Sequence, residues 1–226
     1  YCLWLAEAEP NDIKNNSKIK DRVEAVKKWR SNSDRGNTKK LAETPTLFAE
    51  VRQPKTNYLA FPTVSSVNRK YIPIAFLSPE IVASNQLYVL PNANLFHFGI
   101  LTSLMHMAWV KTVAGRLKTD YRYSSTLCYN TFPFPNISEE QKKRLEFHVF
   151  NVLDERERHS EKTLAELYDP DKMPAGLREA HHNLDIAIEQ CYRLKPFESD
   201  EERLEYLFAL YEQMTSTGGK YMKELI

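Results

Sequence analysis

The chain has 226 residues, of which 42% are hydrophobic and 27% are charged, and this composition is typical of one or two ordinary globular domains. No segment approaches the roughly 18 consecutive apolar residues of a membrane span, and none has the pattern of a secretory signal peptide. The three cysteines, Cys2, Cys128 and Cys191, lack the spacing of a zinc site or a disulfide framework, so we expect a cytoplasmic protein without a structural metal.

The charges are distributed unevenly along the chain. Residues 1–135 carry 18 Lys and Arg against 10 Asp and Glu, whereas residues 136–226 carry 13 against 20. An excess of positive charge in one half indicates a surface for nucleic acid. The alternative is that two solvated surfaces differ in sign without binding anything.

The first fifty residues contain one clear amphipathic pattern. Ile19, Val23 and Val26 recur at helical spacing among basic residues, which predicts a helix that ends before the polar segment 31–37. The apolar residues 1–5 predict a short buried strand. Because the first residue is not Met, we also expect the chain to be part of a longer protein.

From residue 44 to residue 90 the pattern changes to short apolar runs separated by prolines and polar turns. Aromatic and branched residues in these runs predict four strands, over residues 46–51, 58–61, 71–77 and 87–90. Pro73 has no backbone N–H to donate, so the third strand must lie at a sheet edge or contain a bulge. A longer apolar run then predicts one helix over residues 95–113.

The segment after residue 135 is acidic and has helical periodicity. Ser138 and Gln141 have the spacing of a capping box, and apolar positions at helical spacing predict three helices in this segment. The chain is therefore predicted to be α+β, with a mixed small sheet followed by a helical domain. The predicted divisions are residues 1–38, 39–137 and 138–226.

The sequence lacks the motifs of a self-sufficient catalyst. Its six glycines form neither a phosphate-binding loop nor a Gly-x-Ser-x-Gly nucleophile elbow. His97 and His106 are nine residues apart, and His181 and His182 are adjacent, so neither pair has the spacing of metal ligands on one helix face. The alternating charges of residues 154–158 predict a solvated helix face. We therefore expect the chain itself to be non-catalytic and to hold neither a metal nor a cofactor.

Residues 115–124 combine cations, an anion and tyrosines in one short segment. In the major groove, a lysine can donate to guanine O6 and N7, and a carboxylate can accept from cytosine N4. Lys118 and Asp120 are two residues apart, so in an extended segment both side chains would point to the same side and address one G·C pair. The alternative is a surface Lys–Asp pair that contributes little to stability.

Other polar residues are candidates for contacts with the DNA backbone, which fix register without reading sequence. They form two groups: Arg116, Tyr121, Arg122 and Tyr123 around the Lys–Asp pair, and Ser65, Ser66, Arg69 and Lys70 between two predicted strands. The alternatives are core packing for the tyrosines and a solvated hairpin loop for the second group. Thr63 and Asn85, taken alone, are typical turn residues near strand ends.

Many runs along the chain resemble one family of proteins, in the same order. Among them are Lys40-Leu41-Ala42-Glu43-Thr44-Pro45-Thr46, Gly115-Arg116-Leu117-Lys118, Asp120-Tyr121-Arg122-Tyr123-Ser124, Tyr129-Asn130-Thr131-Phe132-Pro133-Phe134-Pro135 and Leu164-Ala165-Glu166-Leu167-Tyr168-Asp169-Pro170. These runs are similar to the C-terminal third of MmeI-like restriction–modification enzymes. A set of this length is far more specific than any single motif.

That resemblance implies a module that recognises double-stranded DNA within an adenine-specific DNA methyltransferase. Residues 1–38 would be the tail of the methyltransferase domain and a linker helix, residues 39–137 the target-recognition domain, and residues 138–226 the C-terminal helical domain. The parent enzyme would use S-adenosylmethionine, with Mg²⁺ as a further cofactor if a nuclease is fused to it. Its own methyltransferase domain would be the partner of this chain.

The resemblance also implies roles for individual residues. Lys118 and Asp120 occupy the positions of one base-specificity pair, and their combination favours a G in the recognised strand. Thr63 and Asn85 occupy the positions of another pair. Thr63 departs from the charged residues common at its position, so the base that this second pair reads stays open.

Two other functions are left open by the residues themselves. In the first, the chain is a protein-interaction module whose helical part docks to a partner, and the basic loop is merely solvated. In the second, the chain is itself an enzyme such as a nuclease, which a metal-dependent cleavage assay would test. A DNA reader differs from an interaction module because its affinity falls steeply as salt rises.

Overall fold

The computed structural model describes residues 2–216, which form two compact units that divide between Gln53 and Pro54. The first unit is helical, and the second contains both sheets and the remaining helices. The predicted α+β class is confirmed. Among residues 2–216, no helix is long and apolar enough to cross a membrane. The predicted divisions at residues 38 and 137 stay predictions.

The first unit is built around one long helix. Its helices are α1 (Pro10–Asn15), α2 (Ser17–Ser31) and α3 (Gly36–Lys40). The helix predicted from Ile19, Val23 and Val26 is confirmed as α2. It begins after Asn16, whose side chain accepts a hydrogen bond from the Ile19 N–H at 3.2 Å, and this cap satisfies one of the unpaired donors of the first turn.

The two strands predicted in this unit are wrong for the residues that the structure describes. Neither residues 2–5 nor residues 46–51 form a ladder; residue 1 lies outside the described part. Trp4 instead stacks on Phe48, with ring centroids 5.7 Å apart, so side-chain packing joins the two segments. The guanidinium of Arg30 donates hydrogen bonds to the carbonyls of Leu41, Thr44 and Leu47. The Leu47 carbonyl belongs to the predicted strand 46–51 and is therefore already bound to a side chain.

The second unit contains two small antiparallel sheets. Its strands among the described residues are β1 (Tyr58–Pro62), β2 (Val64–Ser65), β3 (Ala75–Leu77), β4 (Leu87–Pro91), β5 (Gly115–Leu117) and β6 (Asp120–Arg122). The first sheet has the order β3-β1-β4, and the second has the order β2-β6-β5. The predicted strands at residues 58–61 and 87–90 are confirmed. The strand predicted over residues 71–77 is reduced to β3 at a sheet edge, since Pro73 cannot donate to a ladder.

Thr63 joins the two sheets. Its N–H donates to the Gln86 carbonyl at 2.9 Å, which continues the β1–β4 ladder by one residue. Its carbonyl accepts from the Tyr123 N–H at 2.9 Å, which continues the β2–β6 ladder. Because one continuous segment pairs with both sheets, the positions of the two sheets are fixed relative to each other.

The single helix predicted over residues 95–113 is two helices, α4 (Leu95–Leu101) and α5 (Leu104–Val113). The break is stabilised by polar groups at the start of α5. Ser103 accepts from the His106 N–H, and Asp185 accepts from the Leu104 N–H at 2.8 Å. These bonds satisfy donors at a buried helix start. Apolar periodicity alone gives no signal for such a break, because both helices are apolar.

The acidic C-terminal part is helical, as predicted. Its helices among the described residues are α6 (Glu139–Glu157), α7 (Leu164–Leu167), α8 (Ala175–Tyr192) and α9 (Asp200–Ser216). The capping box at the start of α6 is confirmed: Gln141 N–H donates to Ser138, and Ser138 N–H donates to Gln141. One hydrophobic core continues from the sheets through α4 and α5 to α6, α8 and α9. The helices therefore support the sheets directly.

The predicted solvated face over residues 154–158 is wrong at Arg156. This residue is buried and donates through Nε to the Tyr168 hydroxyl at 2.8 Å and through Nη1 to the Ile74 carbonyl at 2.6 Å. The charge alternates with its neighbours in sequence, but Arg156 lies one turn after Val152, on the buried side of α6. Arg158 is exposed and pairs with Glu155, as expected for the solvated side.

Arg156 belongs to a polar junction of five buried residues between the sheets and the helices: Tyr71, Arg156, Tyr168, His181 and Asp185. Tyr71 donates to Asp185 at 2.7 Å and stacks on the His181 ring, and His181 lies 2.6 Å from the Tyr168 hydroxyl. Burial raises the pKa of Asp185 to about 7, although its hydrogen bonds from Tyr71 and Leu104 act in the opposite direction. Burial likewise holds the pKa of His181 well below its usual range.

Candidate nucleic-acid interface

The predicted base-reading residues lie at the tip of a β-hairpin. Strands β5 and β6 pair antiparallel with Leu117 opposite Asp120, which leaves Lys118 and Thr119 as a two-residue turn. Lys118 has a φ of 56°, a left-handed conformation that is uncommon for any residue other than glycine. In such short hairpin turns glycine is preferred at positions of positive φ. A lysine in this conformation costs about 1 kcal/mol, and its side chain forms no hydrogen bond or ion pair within the described residues that would offset this cost.

Lys118 and Asp120 do not lie in one extended segment, so the predicted geometry of this pair is wrong. Lys118 is in the turn, and Asp120 is the first residue of the returning strand. The side-chain alternation of a strand therefore does not relate the two residues. They lie close together because a two-residue turn brings the ends of both strands to one tip.

The hairpin has two distinct faces. Residues that are directly opposite in an antiparallel pair point to the same side of the sheet. Leu117, Asp120 and Arg122 therefore share one face, which we call the outer face. Arg116 and Tyr121 share the other, where Tyr121 is only 7% exposed and the Arg116 guanidinium carbon lies 4.1 Å from its ring centroid.

The charged side chains at the hairpin tip have no binding partner within the described residues. Within residues 2–216, the side chains of Lys118, Asp120 and Arg122 form neither an ion pair nor a hydrogen bond. Lys118 and Arg122 are exposed, and Asp120 is partly exposed. A donor and an acceptor that have no protein partner and protrude from a sheet are available to a ligand.

Both tyrosines that were predicted as backbone contacts are buried, which is what the packing alternative expects. Tyr123 is buried, and its hydroxyl lies 3.0 Å from Nε2 of His106. Burial raises the pKa of Tyr123 well above its usual value and lowers the pKa of His106 to about 3, so both groups are uncharged at neutral pH. Tyr121 is covered by Arg116, which also donates to the Lys111 carbonyl at 3.2 Å.

Thr63 and Asn85, the second predicted base-reading pair, lie at one end of the first sheet, with Thr63 directly after β1 and Asn85 in the turn before β4. The Thr63 N–H is bound to the carbonyl of Gln86, the residue after Asn85. Thr63 is partly exposed and Asn85 is exposed. The Thr63 carbonyl is bound to Tyr123, the residue that follows β6, so Thr63 pairs both with the segment that contains Asn85 and with the strand that contains Asp120.

The second basic group forms a turn rather than a uniformly positive surface. The Asn68 N–H donates to the Ser66 hydroxyl, and the Arg69 N–H donates to the Ser66 carbonyl. Ser65 is buried, and the Lys70 ammonium lies 5.4 Å from the ring centroid of the adjacent tyrosine. A cleft of about 410 Å³ is lined by Ser66, Asn68, Arg69, Asp169, Pro170 and Asp171. The two aspartates reduce the positive potential that Arg69 provides there.

One exposed residue of the hairpin was missed in the sequence. Leu117 is 52% exposed on the outer face, beside Asp120 and Arg122. Strand alternation across a two-residue turn would have identified it, since Leu117 and Asp120 are symmetric about that turn. One extended segment does not predict this symmetry, which depends on a turn at Lys118 and Thr119.

Comparison with known proteins identifies the class to which this fold and hairpin belong. Residues 1–136 match the family model described as a target recognition domain, and residues 137–217 match the model of a C-terminal domain. Both models are those of MmeI, and together they cover nearly the whole chain. The chain therefore belongs to the MmeI family.

Two relatives support this assignment. The chain is 49% identical over 215 residues to a Bacillus subtilis (strain 168) protein named DNA methyltransferase A, covering 95% of this chain and 24% of that protein. It is 40% identical to the type IIL restriction–modification enzyme MmeI, whose structure was solved in complex with DNA, with a TM-score of 0.92 over 95% of this chain and 29% of that one. The chain thus spans about a quarter of the length of these relatives.

Proposed function

We propose that this chain is the sequence-recognition part of an adenine-specific DNA methyltransferase and that it binds duplex DNA. The observation that carries the proposal is the β5–β6 hairpin, with unpaired Lys118, Asp120 and Arg122 at its tip and outer face. A two-stranded β-ribbon fits the major groove, where base edges present a distinct pattern of donors and acceptors for each base pair. The relationship to MmeI, which was solved in complex with DNA, supports the same conclusion.

The predicted residues that are at least partly exposed have defined roles in this proposal. Lys118 donates to a guanine and Asp120 accepts from the cytosine paired with it. Thr63 and Asn85 read a second base pair. Contacts to the DNA backbone come from the exposed or partly exposed candidates, which are Ser66, Arg69, Lys70, Arg116 and Arg122. Arg122 is exposed beside the Lys118–Asp120 pair on the outer face of the hairpin, so we assign it the strongest phosphate contact.

The chemistry of methylation belongs to parts of the parent protein outside this chain. S-adenosylmethionine would bind there, since the chain has no glycine-rich loop that could approach such a cofactor. The methyltransferase domain would receive the target adenine after it is flipped out of the duplex. A fused nuclease, if the parent has one, would supply the site for Mg²⁺.

Selection from a pool of randomised DNA duplexes tests the proposal directly. The chain is incubated with the pool at low salt and at physiological salt, and bound duplexes are sequenced after several rounds. We expect an enriched motif that contains a fixed G·C pair, and an affinity that falls steeply as salt rises. A Lys118→Ala/Asp120→Ala variant is the matched control, and we expect it to lose preference at that pair while still binding DNA.

The alternatives give different results in the same experiment. Salt-sensitive binding without any motif means that the chain holds DNA without reading it, which contradicts the assignment of Lys118 and Asp120. The absence of binding at every salt concentration contradicts the proposal and favours a protein-interaction module.

A further inference from the structure

Leu117 is an exposed leucine in a hairpin that is otherwise polar. Its side chain is 52% exposed, and it belongs to neither hydrophobic core of the protein. Its neighbours along the chain are Arg116 and Lys118, and its cross-strand partner is Asp120. An isolated exposed leucine needs no explanation by itself, but this one occupies the outer face beside a proposed base reader.

The pairing register sets how far Leu117 lies from Asp120. Directly opposite residues in an antiparallel pair have Cβ atoms roughly 5 Å apart. Successive base pairs are separated by roughly 3.4 Å along the duplex. With the Leu117–Asp120 direction along the duplex axis, Leu117 lies over the neighbouring base-pair step when Asp120 reaches a base edge in the major groove.

The chemistry of the groove then identifies the group that a leucine can recognise there. Base edges in the major groove present hydrogen-bond donors and acceptors, and the thymine C5-methyl is the one apolar feature among them. We propose that Leu117 contacts the methyl group of a thymine in the base pair next to the G·C pair read by Lys118 and Asp120. This inference rests on the proposed function and makes Leu117 a specificity-determining residue.

A methyl deletion in the DNA tests this contact without altering the protein. The duplex selected by the chain is compared with one in which deoxyuridine replaces thymidine at the adjacent step, a change that removes only the methyl group. We expect the wild-type chain to bind the deoxyuridine duplex about threefold to fivefold more weakly, as measured by fluorescence anisotropy, since burial of one methyl group has about this effect. The same replacement elsewhere in the duplex, outside the motif, is the control and should leave binding unchanged.

A Leu117→Ala variant completes the comparison. Because the side chain is exposed and outside both cores, we expect the variant to fold as the wild type does. It should bind the thymidine duplex as weakly as the wild type binds the deoxyuridine duplex, and it should not distinguish the two duplexes. Its preference for the G·C pair should persist, since Lys118 and Asp120 are unchanged.

The failure of this inference is separable from the failure of the proposed function. A G·C motif with no thymine at either adjacent step, or with no sensitivity to the methyl group, overturns the role of Leu117 alone. Equal weakening of Leu117→Ala on all sequences also overturns it, because that result indicates a contact with sugar or backbone. If no G·C motif is selected at all, the proposed function fails first and this inference fails with it.

Discussion

The hairpin tip and the polar junction both place charged residues close to each other, but they use charge in opposite ways. At the tip, Lys118, Asp120 and Arg122 are at least partly exposed and have no protein partner within the described residues. In the junction, Arg156 and Asp185 are buried, and their hydrogen bonds are made within the protein. Buried charges need such partners because leaving them unpaired is costly.

The difference teaches that charge pattern alone does not identify a ligand-binding surface in this chain. Arg122 and Arg156 look alike in the sequence, since each lies near residues of opposite charge. The discriminating property is whether the protein already satisfies the side chain. Variants of the junction should therefore change stability and leave DNA selectivity unchanged, and variants of the hairpin should do the reverse.

The largest effect is expected from Arg156→Ala. The substitution removes the donors to the Ile74 carbonyl and the Tyr168 hydroxyl. Tyr168 keeps its contact with His181, but the buried Ile74 carbonyl loses its Arg156 donor, so we expect the free energy of unfolding to fall by about 3 kcal/mol. Urea unfolding measures the change. Arg158→Ala, on the exposed side of the same helix, is the matched control and should change stability by less than about 0.5 kcal/mol. If both substitutions lowered the free energy of unfolding equally, the buried hydrogen bonds of Arg156 would not be more stabilising than the surface ion pair of Arg158.

The next effect is a change of base preference in the double variant Lys118→Glu/Asp120→Arg. Reversing donor and acceptor should turn the preferred G·C pair into C·G at one position, a change of about 1–3 kcal/mol in discrimination, with stability nearly unchanged. Selection from a randomised pool measures the preference at every position. If affinity falls equally at all positions, direct reading by this pair is ruled out.

The pH dependence of stability tests Asp185. Because burial raises its folded-state pKa from 3.8 to about 7, the folded protein keeps this proton over a range in which the unfolded chain has lost it. Its contribution to the free energy of unfolding is therefore complete below about pH 4 and is lost as the pH rises to about 7. Unfolding curves of wild type and Asp185→Asn should differ in slope over this range. Parallel pH profiles would show that Asp185 does not titrate there.

Arg122→Ala should have a smaller and more uniform effect on binding. Loss of one phosphate contact should weaken all sequences about equally and reduce the salt dependence of log affinity by about one unit. Lys195→Ala, an exposed lysine of the helical part, serves as the control and should change neither quantity. A loss confined to one sequence would instead show that Arg122 reads a base.

The smallest effect is expected from Tyr123→Phe. Removal of the hydroxyl deletes the buried hydrogen bond to His106 and should lower the free energy of unfolding by about 1 kcal/mol. DNA affinity and its salt dependence should be unchanged, because the hydroxyl is buried. A reduced salt dependence in this variant would restore the phosphate contact that the sequence suggested.

Local patterns were sufficient for the elements whose stability is local. The periodicity of α2, the capping box of α6 and the strands β1 and β4 could all be predicted from a few neighbouring residues. Residues 46–51 have the composition of a strand but pair with no other strand. Arg30 instead donates to the Leu47 carbonyl, and Trp4 packs on Phe48. The break at Ser103 depends on Asp185, which is 81 residues away from its partner Leu104, and no local pattern contains that information.

For the candidate site as well, the sequence identified residues but not their three-dimensional arrangement. Residue type and spacing selected Lys118 and Asp120, and the resemblance to the family added Thr63 and Asn85. The amino-acid sequence alone could not show that Tyr123 is buried, that Lys118 lies in a turn, or that Leu117 shares a face with Asp120.

The sequence by itself therefore determined the family and the α+β class, and it supplied the candidates for reading a base pair, because these depend on residue type and order. Only the tertiary structure decided which charges are available to a ligand. That property depends on partners that are distant in sequence, as Arg156 and Ile74 show in the junction. At the hairpin tip, the two-residue turn leaves Lys118 and Asp120 with no such partner among the described residues, and their hydrogen-bonding capacity remains available to a ligand.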